Sequence, residues 1–157
     1  MAWLKRWSPS WKTRSLSKRI FISKNASEID PYRSQFEELG FTVVSHSFLS
    51  FSPVEFDIKH EYDALFFSSV RSVIFFQAYQ SIPFDKSIAC IGDKTAELLE
   101  TLGHTVDFKG TKSGAPKVVA EEFKAWLAST PSCQRALFPI SDRSLKSIAT
   151  EIPAAQK

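Results

Sequence analysis

Apolar residues in this chain gather in short runs of strand length, and the runs alternate with stretches whose apolar positions recur at helical spacing. The run at 19–23 predicts a first strand. Over 31–39, Tyr32, Phe36 and Leu39 fall on one helical face. Asp30 is placed to cap the first amides, Pro31 suits an opening turn, and Gly40 supplies the left-handed stop. The run at 41–44 returns as a strand, so a βαβ unit begins here. From 45 to 60, Ser, Phe and Pro53 mix without a helical period and predict an extended connection, with a short strand at 48–51.

The pattern then becomes regular. A buried strand at 63–67 leads through Ser68 and Ser69 into a helix over 70–79, whose turns are marked by Val70, Val73, Ile74 and Gln77. A strand at 87–91, a turn at Gly92 and Asp93, and a helix over 94–102 stopped by Gly103 repeat the unit. A third repeat has a strand at 105–108, a polar loop at 109–115 and a helix over 116–127 opened by Pro116. A short strand at 136–138 and a helix over 144–152, preceded by Ser141 and Asp142, complete the series. Strands and helices alternating at this spacing predict an α/β fold, a mostly parallel sheet with helices on both faces.

In such sheets ligands bind beyond the carboxyl ends of the strands, so the residues just after each apolar run are the informative ones. Here they are small, hydroxylated or glycine: Ser23 and Lys24, Ser68 and Ser69, Gly92 through Thr95, Gly110 and Thr111, and Ser141 through Ser144. Most of these turns open helices, whose first N–H groups and positive dipole end attract carboxylates or phosphates. The same residue types are the ordinary caps and turn formers of α/β proteins, so the pattern alone gives a fold and a rim suited to an anion, with no reaction attached.

Charge changes this picture in one place. The chain of 157 residues carries a net +3, yet the first nineteen residues hold Lys5, Arg6, Lys12, Arg14, Lys18 and Arg19 without an acid. Removing those six leaves the remainder at −3. Residues 1–18 read as a basic, disordered leader; a transit peptide, a nucleic-acid arm or an upstream extension of the start would share that composition, and it lacks the apolar core of a secretory signal. Trp3, Trp7 and Trp11 could share one helical face, but no nucleic-acid-binding module follows them. An apolar share of 43% with 24% charged residues is that of a folded, water-soluble chain, one domain being the default at this length, and no apolar run approaches membrane-spanning length.

Cys90 and Cys133 read as reduced thiols, and His46, His60 and His104 stand apart from other metal-ligating residues, so no metal site is expected. Neither a phosphate-binding Gly-x-x-x-x-Gly-Lys string nor Gly-x-Gly-x-x-Gly occurs. A receiver-like module would want a phosphoacceptor aspartate where Ser68 stands. A non-catalytic α/β module binding an anionic ligand remains the alternative to an enzyme.

Three consecutive blocks carry a family resemblance. Residues 62–76, Tyr-Asp-Ala-Leu-Phe-Phe-Ser-Ser-Val-Arg-Ser-Val-Ile-Phe-Phe, are similar to a strand, hydroxyl pair and helix of the uroporphyrinogen-III synthases. Residues 88–103, Ile-Ala-Cys-Ile-Gly-Asp-Lys-Thr-Ala-Glu-Leu-Leu-Glu-Thr-Leu-Gly, resemble that family's apolar strand, Gly-x-x-Thr-Ala and helix. Residues 136–145, Ala-Leu-Phe-Pro-Ile-Ser-Asp-Arg-Ser-Leu, look like its next strand and polar turn. Order and spacing together carry the match, and residues 19–51 fit as well.

The resemblance implies two α/β domains around a cleft. Residues 19–45 would begin a discontinuous first domain, left incomplete here, and 46–157 would form most of the second. The chain would then be roughly the first two-thirds of such an enzyme, truncated at its carboxyl end. On that map the helix face of Tyr32, Phe36 and Leu39 has too few partners, and the region is expected to be less ordered than the rest.

The implied function is a lyase of tetrapyrrole and haem biosynthesis: loss of water from hydroxymethylbilane, inversion of ring D through a spiro intermediate, and closure to uroporphyrinogen III without cofactor or metal. It implies a cytoplasmic monomer, with hydroxymethylbilane as ligand, and allows hydroxymethylbilane synthase as a partner; neither nucleic acid nor membrane is expected. The substrate-binding residues it implies are Ser68, Ser69, Val70, Arg71, Gly92, Asp93, Lys94, Thr95, Ser141, Asp142, Arg143 and Ser144, acting through backbone amides, hydroxyls and nearby charges. Ser68 stands where the family often has Thr. Tyr62 and Tyr79 do not match the position of the tyrosine proposed in that family to assist the leaving hydroxyl, so no catalytic residue is named and the isolated chain is expected to turn over poorly.

Overall fold

The computed structural model describes residues 18–112, 114–142, 144 and 147–153. The tryptophan-bearing segment 1–17 and Arg143 lie outside the described residues. The chain divides into two compact units, Met1–Phe51 and Ser52–Lys157.

In the first unit, β1 (Lys18–Ile22) and β2 (Phe41–Ser45) pair in parallel with Ile20 opposite Val43. The connection is helical but begins earlier than 31. It runs through α1 (Ala26–Ile29), a 3-10 turn (Asp30–Tyr32) and α2 (Arg33–Glu38). Asn25 opens it, because the Glu28 carboxylate reaches back to accept the Asn25 N–H at 3.3 Å while also pairing with Lys24 at 2.9 Å. Pro31, which cannot donate to the preceding turn, coincides with the switch to 3-10 geometry.

Asp30 does not cap. Its carboxylate accepts two bonds from Arg33 at 3.0 and 3.2 Å, and Arg33 also donates to the Val43 carbonyl at 3.1 Å. The His46 N–H donates to the Ile22 carbonyl at 3.3 Å, so even-numbered residues of β2 face β1, and Val43 presents its carbonyl on the outer edge. Ile29 and Val43 are buried between helix and sheet. Of the predicted helix face only Phe36 is half-buried; Tyr32 and Leu39 remain 50% and 70% exposed. Residues 48–51 form no strand. The Ser47 hydroxyl donates to the Leu49 carbonyl at 2.9 Å and accepts the Leu49 N–H at 3.3 Å, closing a local turn that competes with ladder formation.

The second unit holds a four-stranded, wholly parallel sheet in the order β5-β4-β3-β6. Its strands are β3 (Ala64–Phe67), β4 (Ser87–Ile91), β5 (Phe108–Gly110) and β6 (Ala136–Leu137), and its helices are α3 (Val70–Gln77), α4 (Asp93–Thr101) and α5 (Pro116–Ser129). All four residues of β3 are buried, as a central strand covered on both faces requires. Alternation divides them. Ala64 and Phe66 join Ala89, Val119, Phe123 and Leu127 on the α5 side, where Phe66 meets Phe123 edge-on with ring centres 4.7 Å apart. Leu65 and Phe67 join Ile88, Cys90, Val73, Phe76 and Leu99 beneath α3 and α4.

Two predicted elements shift. The strand expected at 105–108 begins only at Phe108. Asp107 engages both polar groups of Ile88, its N–H donating to the carbonyl and its carboxylate accepting the N–H, each at 2.8 Å, so a side chain occupies one place in the ladder. Residues 147–151 of the helix expected over 144–152 form turns: the Glu151 N–H bonds the Ile148 carbonyl at 3.0 Å, where an α-helix would use residue 147. Ile148 and Ile152 are nonetheless buried in the α5-side core.

Gly110 ends β5 under α5, and a Cβ there would stand 2.7 Å from Val119 Cγ1. Valine is stiff about χ1 and is buried, so the contact is not easily relieved. Gly110→Ala is expected to destabilise the protein by about 1–3 kcal/mol. A double variant with Val119→Ala should cost less than the two single changes added, measured by denaturant unfolding. Additive costs would contradict the clash.

Candidate functional site

Because all four strands of the larger sheet are parallel, their carboxyl ends lie along one edge. The register sets what meets there. Phe67 is opposite Cys90, and Leu65 opposite Leu137. The segment after β3 is therefore flanked by the segment after β4 on one side and by that after β6 on the other. Residues 68–71, 92–95, and 141, 142 and 144 thus share one rim by topology. Ser23 and Lys24, which the sequence also marks, belong to the first unit, where Lys24 is paired with Glu28.

At the centre of the rim Ser69 caps α3. Its hydroxyl accepts the Ser72 N–H at 3.1 Å, and the Ser72 hydroxyl accepts the Ser69 N–H at 3.1 Å while donating to the Ser69 carbonyl at 2.6 Å. This reciprocal box uses the Ser69 hydroxyl for the helix and does not involve Ser68; both serines are exposed. Val70 and Arg71 form the first turn of α3.

After β4, Gly92 adopts φ 76°, a left-handed backbone that glycine accepts without strain, and α4 starts at Asp93. Asp93 and Lys94 are exposed, whereas Thr95 is only 4% exposed and is packed into the unit. After β6, Pro139 and Ile140 lead to a turn in which the Ser144 N–H donates to the Ser141 carbonyl at 3.1 Å. Ser141 and Asp142 are exposed and Ser144 is half-buried.

Three features of the larger unit escape a reading of residues just after strands. Lys109, inside β5 and opposite Cys90, reaches Asp93 with Nζ to Oδ1 at 2.8 Å. That bond, then the Lys109 charge, holds the Asp93 carboxyl below its ordinary pKa, and Asp93 in turn raises the Lys109 ammonium. Beside them, Glu122 of α5 accepts the Thr111 hydroxyl at 2.6 Å and the Thr111 N–H at 3.1 Å. These two bonds hold the Glu122 carboxyl below the usual range and tie the start of the loop after β5 to α5. The only signal for either pair is charge at strand and helix positions where apolar periodicity carries no information.

The third feature lies at the opposite, amino edge, where Glu61, Tyr62, Asp63, Lys86 and Arg135 line a cavity of ≈ 340 Å³. The Asp63 carboxylate accepts the N–H groups of Gln134 and Arg135 at 3.0 and 2.9 Å, and Arg135 pairs with Glu61 at 3.1 Å. These bonds fix the start of β6 against β3 and leave Arg135 neutralised by the chain's own acids, while Lys86 pairs with Asp85 at 3.4 Å. Burial raises the Tyr62 phenol above its ordinary pKa. Burial also pushes the Cys90 thiol up to about 11, so it is a neutral core side chain rather than a nucleophile at neutral pH. Among the described residues, no three His, Cys, Asp or Glu side chains form a group that could hold a metal ion, and no helix is long and apolar enough to cross a membrane.

The rim can therefore offer helix-opening amides, exposed hydroxyls and cations to an anionic ligand. A model of the family described as uroporphyrinogen-III synthase HemD matches residues 30–155. The chain belongs to that family. Neither a curated protein nor a solved structure matches it. Family membership places the chain in tetrapyrrole biosynthesis, and the activity of that family is a lyase activity. The matched span includes the whole rim.

The Glu122 clamp yields a test. Its depressed carboxyl favours the fold at pH values above the unfolded glutamate pKa, and that contribution fades as pH falls through the folded value. Thr111→Val removes the shorter bond. The Glu122 side-chain pKa, read by NMR titration, is then expected to rise toward the ordinary glutamate value; an unmoved pKa would refute the hydroxyl as its main cause.

Proposed function

We propose that this chain acts on hydroxymethylbilane as a uroporphyrinogen-III synthase, gripping substrate carboxylates along the carboxyl rim of the larger sheet. The reading is supported by the family match over residues 30–155 together with one observation, the placing of the α3 and α4 amino ends on neighbouring strands of a single rim. Loss of the substrate hydroxyl as water leaves an electrophilic end that ring D must attack at its substituted position. The protein's task is to hold the two ends of a flexible polyanion together, a contribution of orientation and electrostatics.

The residues divide that task. The first-turn amides of α3 at Val70 and Arg71, and those of α4 at Asp93 and Lys94, are the donors in this reading, with Ser68, Ser141 and Asp142 bordering them. Ser69 supports the site by fixing where α3 begins. Thr95 contributes through packing beneath α4. Backbone donors explain how a body with a net acidic balance accommodates an acid-rich ligand, since helix-end amides carry partial positive charge without a basic side chain.

The test is direct. The purified chain is supplied with freshly generated hydroxymethylbilane, and the oxidised products are separated into isomers I and III. Isomer III above the spontaneous background supports the proposal. Isomer I alone, with no binding of uroporphyrin III, overturns it; binding without turnover would instead favour a non-catalytic anion-binding module.

A further inference from the structure

Lys109 reaches toward the rim from inside a strand, where neither strand-end reasoning nor helix capping explains it. It lies inside edge strand β5, and its neighbours in the strand, Phe108 and Gly110, both face the α5 side: Phe108 lies 5.1 Å, centre to centre, from Phe123, and Gly110 abuts Val119. Lys109 therefore emerges on the α4 side, above Cys90. A strand-edge lysine is an ordinary solvated charge unless something directs it. Here it is directed, with its ammonium drawn to Asp93 at 2.8 Å, at the first residue of α4.

Both partners are open to water, with side chains 49% and 80% exposed. An ion pair this exposed contributes little to stability, because water solvates either group nearly as well and two side chains must be held in one geometry. Such a pair is easily exchanged. The other groups acting on Lys109 are Cys90 and then Glu100, both raising its pKa, and neither makes a direct bond to it.

We infer that Asp93 is a placeholder for a ligand carboxylate: Lys109 holds Asp93 in the empty protein and exchanges it for a carboxylate of the bound tetrapyrrole. This rests on the reading of the rim as a tetrapyrrole carboxylate site. The exchange conserves charge pairing at Lys109, so its cost is confined to releasing Asp93 into water. An edge-strand cation and an internal acid together tune affinity, so product is not held too tightly for release.

The arrangement predicts opposite effects from the two members of one ion pair. Binding of uroporphyrin III to the full chain is measured by fluorescence quenching for the unaltered protein, Lys109→Met, Asp93→Asn and the double variant. Lys109→Met is expected to weaken binding roughly three- to tenfold, as loss of one charge-assisted contact does. Asp93→Asn is expected to tighten it by a few-fold, since a competing acid is gone, and the double variant should resemble Lys109→Met.

A second readout needs no substitution. Saturation with uroporphyrin III should raise the Asp93 carboxyl pKa, followed by NMR, as Lys109 leaves it. Binding by the unaltered chain with affinity indifferent to Lys109→Met, or weakened alike by both single changes, overturns the inference and leaves the proposed function standing. No binding by the unaltered chain overturns the inference, and the proposed function falls with it when isomer I is also the sole product.

Discussion

The burial of β3 on both faces is the constraint from which the larger unit follows. Ala64, Leu65, Phe66 and Phe67 have no solvent side, so helices must cover the sheet above and below, and β3 pairs on both edges with parallel strands. Phe66 and Phe67 point to opposite layers, and each removes from water an area whose burial contributes about 1.5–3 kcal/mol. The two cores are thus joined through one backbone four residues long. That same strand delivers Ser68 and Ser69 to the middle of the rim, so a fully buried segment is followed at once by exposed hydroxyls.

The polar groups around this core are matched with unusual directness by acids. Asp63 binds the backbone where β6 begins, Asp107 binds Ile88 where β5 approaches β4, and Glu122 binds Thr111 where β5 ends. Each is a carboxylate accepting a main-chain N–H, a bond stronger than its neutral counterpart. The net acidic balance of the folded body is therefore partly structural. Its acids stitch the ends of short strands that have too few ladder bonds to define themselves.

The legible part of the sequence was the part with a period. Strands 63–67 and 87–91 and the helices after them follow from runs of apolar residues with glycine or serine between, because burial on a two-sided sheet and on a helix face leaves that trace. Local polar competition left none. Ser47 closing on Leu49, Asn25 rather than Asp30 opening the first helix, and turns at 147–151 where isoleucines four apart suggest a helix all depend on which neighbour a donor finds first. The rim was readable as a set of strand ends. The partners of its side chains, such as Lys109 with Asp93 or Ser69 with Ser72, and the burial of Thr95, needed three dimensions.

Cys90 illustrates how position sets reactivity. Placed on β4 beneath α4 and shielded from water, its thiol has a pKa of about 11, so that at neutral pH only roughly one molecule in ten thousand carries the thiolate that oxidants and alkylating agents attack. The sulfur nearest the rim therefore behaves as a small apolar group. Peroxide or electrophile exposure should pass this fold by without registering at the centre of its sheet.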